Sequence, residues 1–211
     1  MTQSTTGQRR KAIKTIAKSL IVMAASVVFM ACTQSKPQFK AIDISGAEYA
    51  QDFAANGAVL DHNGTPRSIK DFAGKVVVLF FGYTQCPDVC PTSMTELAEV
   101  KKLLGKDGER VQGLFITVDP ERDTAEVLKA YMANFDPSFL ALRTTPDGLV
   151  QVAKEFKVYY KKSPGPTPTS YTMDHTAASF VFDTTGKVRL YTRYGTGAPA
   201  LAADLALLLK P

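Results

Sequence analysis

The sequence predicts an α/β domain with a mixed central sheet, helices on both of its faces and an N-terminal β-hairpin. Two wholly apolar runs, Val76–Phe81 and Leu114–Val118, carry most of that expectation, because a strand covered on both faces reads as a continuous hydrophobic stretch. Between them Met94, Leu97, Val100 and Leu104 recur at helical spacing, so the unit is strand, helix, strand, and its strands are parallel. Late in the chain Ala178–Phe182 and Val188–Tyr194 are joined by Asp183-Thr184-Thr185-Gly186, a turn composition that makes them an antiparallel pair.

The beginning of the chain differs in kind. Arg9, Arg10, Lys11, Lys14 and Lys18 form a basic head, followed by an uncharged apolar run from Leu20 to Ala31 broken only by Ser26. That run is short of the roughly 20 residues a spanning helix needs and has the character of a secretory signal. It ends Phe29-Met30-Ala31-Cys32, similar to a bacterial lipobox, although Phe29 stands where Leu or Val is usual. Residues 1–31 are therefore expected to be a lipoprotein-type signal peptide with Cys32 lipidated, or an uncleaved signal anchor with Cys32 just outside the bilayer. Both place the domain at the cell membrane, in the periplasm or otherwise outside the cytoplasm. Residues 32–50 read as a tether and 51–211 as one domain. The five cations of the head are the whole excess of 25 basic over 20 acidic residues, so the rest of the chain offers no electrostatic footing for nucleic acid.

The remaining elements follow in order. Asp61-His62-Asn63-Gly64 carries an Asn-Gly turn, the signal for the N-terminal hairpin, and His62 is expected as an exposed loop residue. Gly74 and Gly82 bracket the central strand, Pro91 suits the first turn of the helix after it, and Gly105 suits its end. Asp123 with Glu126 resembles an N-cap pair for a helix reaching roughly Asn134. A short segment at Leu140–Leu142 precedes a helix of about Asp147–Phe156. Ser163–Met173, with Pro164, Pro166 and Pro168, is expected as a long irregular loop leading into Asp174-His175. A helix of about Pro199–Leu209 closes the chain. Thioredoxin-like folds have this order of elements.

The chemistry gathers where the central strand ends, in Gly82-Tyr83-Thr84-Gln85-Cys86-Pro87-Asp88-Val89-Cys90-Pro91-Thr92. Open α/β sheets place ligand sites at such strand ends, and a helix N-terminus lowers the cost of a thiolate. The spacing is C-x-x-x-C, about one helical turn, so both sulfurs can face one point and either chelate a soft metal or close a disulfide. A structural disulfide is the ordinary fate of two cysteines in an oxidising compartment, but so small a loop gains little from one. His175 supplies a third donor. A Cys2His set suits Cu(I), whereas zinc asks for a fourth ligand that is not evident.

These residues carry a resemblance. The cysteine segment, Thr117-Val118-Asp119-Pro120-Glu121-Arg122-Asp123-Thr124 and Met173-Asp174-His175-Thr176 closely resemble three motifs of the Sco/SenC family, in the same order and with matching separation. The resemblance runs from roughly Leu60 to the C-terminus. It implies a metallochaperone rather than a turnover enzyme, holding one copper per chain, as Cu(I) or Cu(II), with Cys86, Cys90 and His175. It implies as partners a copper-accepting membrane oxidase subunit and a thiol reductant. The family's role is assembly of the dinuclear copper site of cytochrome c oxidase, by copper delivery, thiol reduction or both. Gln85 departs from the histidine that many members have there. Asp174 is expected to orient His175 or receive its N–H and Asp119 to shape the turn before Pro120, while the methionines read as core filler, with Met173, two residues before His175, alone kept as an alternative, occasional sulfur ligand.

Two other readings remain. The first is a thiol-disulfide oxidoreductase using Cys86 and Cys90 as a redox pair without metal. Thioredoxins set a cis-proline opposite such a pair, and Asp174-His175-Thr176 has none beside it. The second is a thiol peroxidase, which needs a cation near its cysteine; no Arg or Lys lies between Lys75 and Lys101.

Overall fold

The computed structural model describes residues 38–55, 58–167 and 170–210. Cys32 and the expected signal or anchor over 1–31 lie outside the described residues. The strands are β1 (Ile42–Asp43), β2 (Leu60–Asp61), β3 (Val76–Gly82), β4 (Val111–Thr117), β5 (Leu140–Arg143), β6 (Tyr160–Ser163), β7 (Thr172–His175), β8 (Ala178–Phe182) and β9 (Val188–Arg193). The α-helices are α1 (Val89–Leu103), α2 (Ala125–Met132), α3 (Pro146–Phe156) and α4 (Ala198–Leu208). Seven strands form one mixed sheet in the order β1-β9-β8-β3-β4-β5-β2, and β6 with β7 forms a separate antiparallel pair.

β3 and β4 are the parallel centre, with Val76 opposite Val111 and Gly82 opposite Thr117, and every residue of both strands is buried. Alternation along β3 sends successive side chains to opposite faces. Phe81 meets Phe156 of α3 at 5.3 Å between ring centroids, and Phe156 also packs on Phe180 and Phe182. On the other face Val78 and Phe80 lie against Met94 and Leu97 of α1 and Leu201 of α4. Phe115, beside Phe80, meets Tyr131 of α2 on that same side. The Asn63-Gly64 turn closes with Asp61 N–H on Thr65 O and a bridge between Leu60 and Pro66, while β2 also pairs with β5.

The structure corrects four expectations. Residues 39–50, read as part of a tether, belong to the fold: β1 pairs with β9, Ala50 is buried, and the amides of Lys40 and Ala41 donate to the buried Asp204 carboxylate on α4. Thr124, not Asp123, caps α2, its hydroxyl accepting from Val127 N–H. His62 is half-buried and its Nδ1 accepts from the Ala141 amide at 3.1 Å, so burial holds its pKa below the usual value. The segment Ser163–Met173 is not a loop throughout: Ser163 closes β6 and Thr172 opens β7, in register from Tyr160↔His175 to Ser163↔Thr172. Pro164 and Pro166 fall outside both strands, so β6 and β7 keep the amide hydrogens a ladder requires.

Candidate metal centre

β3 delivers the cysteine segment to the N-terminus of α1. A Cβ at Gly82, the last residue of the strand, would stand 2.9 Å from the Cys90 sulfur and 2.7 Å from the Phe115 ring, so only glycine lets the helix come this close. Cys90 is fully buried in the first turn of α1, and Pro91 follows it where the missing N–H costs nothing. Cys86 is half-buried in the preceding loop, and its sulfur accepts the Cys90 amide at 3.4 Å, one of the N–H groups the start of a helix leaves free.

Neither cysteine is paired in a disulfide, and the two differ in character. Hydrogen bonds from the Cys90 thiol and from the amides of Asp88 and Cys90 lower the Cys86 pKa to about 3 against the pull of burial. The same bond, together with burial, raises the Cys90 pKa strongly. The hydrogen bonding thus favours the thiolate at Cys86 and the thiol at Cys90.

His175 arrives from β7. Its Nε2 lies 3.3 Å from Cys90 Sγ, and its Nδ1 is 3.2 Å from the Thr176 carbonyl. A carbonyl can only accept, so Nδ1 carries the proton and Nε2 presents its lone pair to the sulfurs. The ring is held edge-on by Phe80 at 6.0 Å and Tyr83 at 5.9 Å. Donor atoms of Cys86, Cys90 and His175 all lie within 4.8 Å of one another, close enough for one ion to reach all three. Two sulfurs and an imidazole nitrogen fit a soft ion such as Cu(I).

Asp174 does not touch the histidine. Neighbours in a strand face opposite ways, and its carboxylate accepts from Ser163 Oγ at 2.6 Å across the hairpin. Met173 shares the inward face with His175 and lines a cleft of about 170 Å³ with Val118, Pro120 and Leu149. Asp119 makes the expected turn, its carbonyl accepting from the amides of Arg122 and Asp123. Its carboxylate also binds Arg122 and the Tyr171 hydroxyl. Asp123 is a support that sequence reasoning missed. Fully buried, it accepts from Thr84 Oγ1 at 2.6 Å, from Thr84 N–H at 3.1 Å and from Thr117 Oγ1 at 2.5 Å, tying the cysteine segment to the end of β4.

A thioredoxin-like domain whose central strand carries a C-x-x-x-C pair to a histidine on a separate hairpin belongs to the two-cysteine proteins of metal and thiol chemistry. The SCO1/SenC family model matches residues 45–210, and the chain belongs to that family. It is 39% identical over 139 residues to the mitochondrial SCO2 homologue of Bos taurus, covering 65% of this chain and 51% of that protein. The chain thus spans about half the length of that curated relative. The copper-bound structure of Bradyrhizobium japonicum ScoI is similar at TM-score 0.66 and 40% identity, over 72% of this chain and 96% of that one. BsSco, a member of the Sco family of cytochrome c oxidase assembly proteins in which a disulfide switch was identified, shares the fold at TM-score 0.61 and 19% identity, over 81% of this chain and 99% of that one.

Proposed function

We propose that the protein is a copper-binding metallochaperone that holds one ion through Cys86, Cys90 and His175 and supports assembly of the dinuclear copper site of cytochrome c oxidase. One observation carries the copper assignment: the three donor atoms converge within 4.8 Å, with the imidazole lone pair already turned to the sulfurs. Copper in the related ScoI, together with the three sequence motifs, supports the choice of metal. Bound copper would supply a soft Lewis-acid centre, transferable by exchange of thiolate ligands. The chain's own contribution is an ionised Cys86 to meet the ion, a buried Cys90 to follow, and a histidine to complete the set.

The recipient in this reading is a copper-accepting oxidase subunit. The domain works outside the cytoplasm, attached to the membrane through the N-terminal segment and Cys32. Among the described residues no helix is long and apolar enough to cross a membrane. The ionised Cys86 beside a second free thiol favours one further activity, thiol-disulfide exchange with a partner's cysteines.

The deciding experiment titrates the reduced protein anaerobically with Cu(I) against a competing chelator, beside the Cys86→Ala, Cys90→Ala and His175→Ala variants. One-to-one binding, lost or greatly weakened in each variant, is expected. Undiminished affinity in His175→Ala would remove histidine from the ligand set, and no binding by the parent protein would leave thiol exchange as the function.

A further inference from the structure

Three segments that are remote in sequence converge on one guanidinium. Arg122 Nε donates to Asp119 Oδ2, and its Nη1 donates both to Gln85 Oε1 at 3.0 Å and to the Tyr171 carbonyl at 2.9 Å. Its Cζ lies 3.5 Å from the centroid of the Tyr171 ring, and the ammonium of Lys162 stands 3.7 Å from the same centroid. Two cations thus contact that one ring and together restrain it. The Tyr171 hydroxyl completes a closed circuit by donating to Asp119 Oδ1 at 2.7 Å. Lys162 is fixed in turn by Glu121 at 3.0 Å.

What is clamped matters for the metal centre. Burial alternates from the approach to β7 into the strand: Tyr171 and Met173 are buried and His175 half-buried, while Ser170, Thr172 and Asp174 face solvent. Fixing the Tyr171 ring therefore fixes the register and height of His175, two alternating steps further on. The other end of the same guanidinium holds Gln85, the residue before Cys86. Among the described residues Arg122 Nη2 is buried without an acceptor.

We infer that Arg122 is a positioning residue for the metal centre, a clasp that sets the distance between the histidine hairpin and the cysteine loop. Arg122 touches no ligand atom and acts through Tyr171 on one side and Gln85 on the other. Both attachments need a guanidinium: the paired donation from Nη1 while Nε stays on Asp119 requires its planar fork, which lysine lacks. The inference rests on the copper reading for its metal readout.

The test is a double-mutant cycle on the full-length protein. Cu(I) affinity, by chelator competition, is compared between the parent, Arg122→Ala, His175→Ala and the double variant, with Arg122→Lys as the conservative replacement. Amide hydrogen exchange over Thr172–Thr176 is followed in the same proteins without metal. The expected result is a loss of roughly 10- to 100-fold in affinity for Arg122→Ala. No further loss should follow in the His175→Ala background, Arg122→Lys should recover only part of the affinity, and exchange should be faster across Thr172–Thr176. An equal loss with and without His175, or unchanged affinity in a folded Arg122→Ala protein, would overturn it. If Arg122→Ala does not fold, Tyr171→Phe removes only the hydroxyl donated to Asp119 and should give a smaller loss that also vanishes without His175. Should the parent bind no Cu(I), the copper reading fails separately and hydrogen exchange alone decides the clasp: unchanged exchange in the Arg122 variants refutes it.

Discussion

Cys86 and Cys90 share one surrounding and are pushed toward opposite protonation states, because one sulfur receives hydrogen bonds and the other gives one. Metal binding needs both as thiolates, so the proton it releases comes from Cys90. Uptake of one copper near neutral pH should release about one proton, and affinity should rise about tenfold per pH unit between about pH 6 and 8. Calorimetry in buffers of different ionisation enthalpy measures that count; two protons would mean that Cys86 starts as a thiol. The pair, its spacing and His175 were legible as residues of one site because donor chemistry is carried by residue type. The histidine's orientation was not, since it depends on the Thr176 carbonyl, and a backbone acceptor leaves no mark in sequence.

At the scale of elements, the two apolar strands and the helix between them were legible because burial on both faces imposes an unbroken hydrophobic run. Asp123 misled for a comparable reason: Asp followed by Glu three residues on is the local pattern of a helix cap, and only the long-range approach of Thr84 reveals a buried acceptor. Removing that acceptor in Asp123→Ala leaves three donors unmatched and should cost about 2–3 kcal/mol in a denaturant titration. Burial raises the Asp123 pKa above its usual 3.8. The stability this carboxyl contributes is therefore complete below about that pH and is lost as pH rises through the raised value. Asp123→Asn does not titrate, so its stability relative to the parent should improve from acid to neutral pH. A difference that is flat or runs the other way would contradict the assignment. The β6–β7 pair was hidden by its own tip, whose prolines dominate the composition, although the alternation Tyr171, Met173, His175 was there to be read.

For the whole molecule, the metal centre joins two sheets that have no strand in common. The cysteines hang from the seven-stranded sheet, and the histidine comes from the two-stranded one. An ion reaches all three donors only in the folded arrangement and so stabilises it. At free Cu(I) about 100-fold above Kd the gain should be about 2.7 kcal/mol, read as a raised unfolding midpoint. In His175→Ala the gain should shrink with the affinity while the two thiols can still be oxidised to a disulfide. An equal gain in that variant would mean that copper is held by the cysteines alone. Sequence gave little warning of this division of labour, because thioredoxin-like order describes the large sheet and is silent about a small hairpin inserted between α3 and β8.

The alternation that aims His175 also divides the hairpin into a stretch where chain length can drift and one where it cannot. Residues added at 164–167 enlarge a surface tip upstream of the Tyr171 anchor and should leave copper affinity unchanged. A single residue added between Tyr171 and His175 reverses every inward and outward position after it, turning the imidazole to solvent, and should abolish the site in a protein that still folds. Comparing the two insertions by copper titration separates these cases. Lineages of this fold are then free to elaborate the tip, a surface for acquiring new partners, without disturbing the ion held a few residues away.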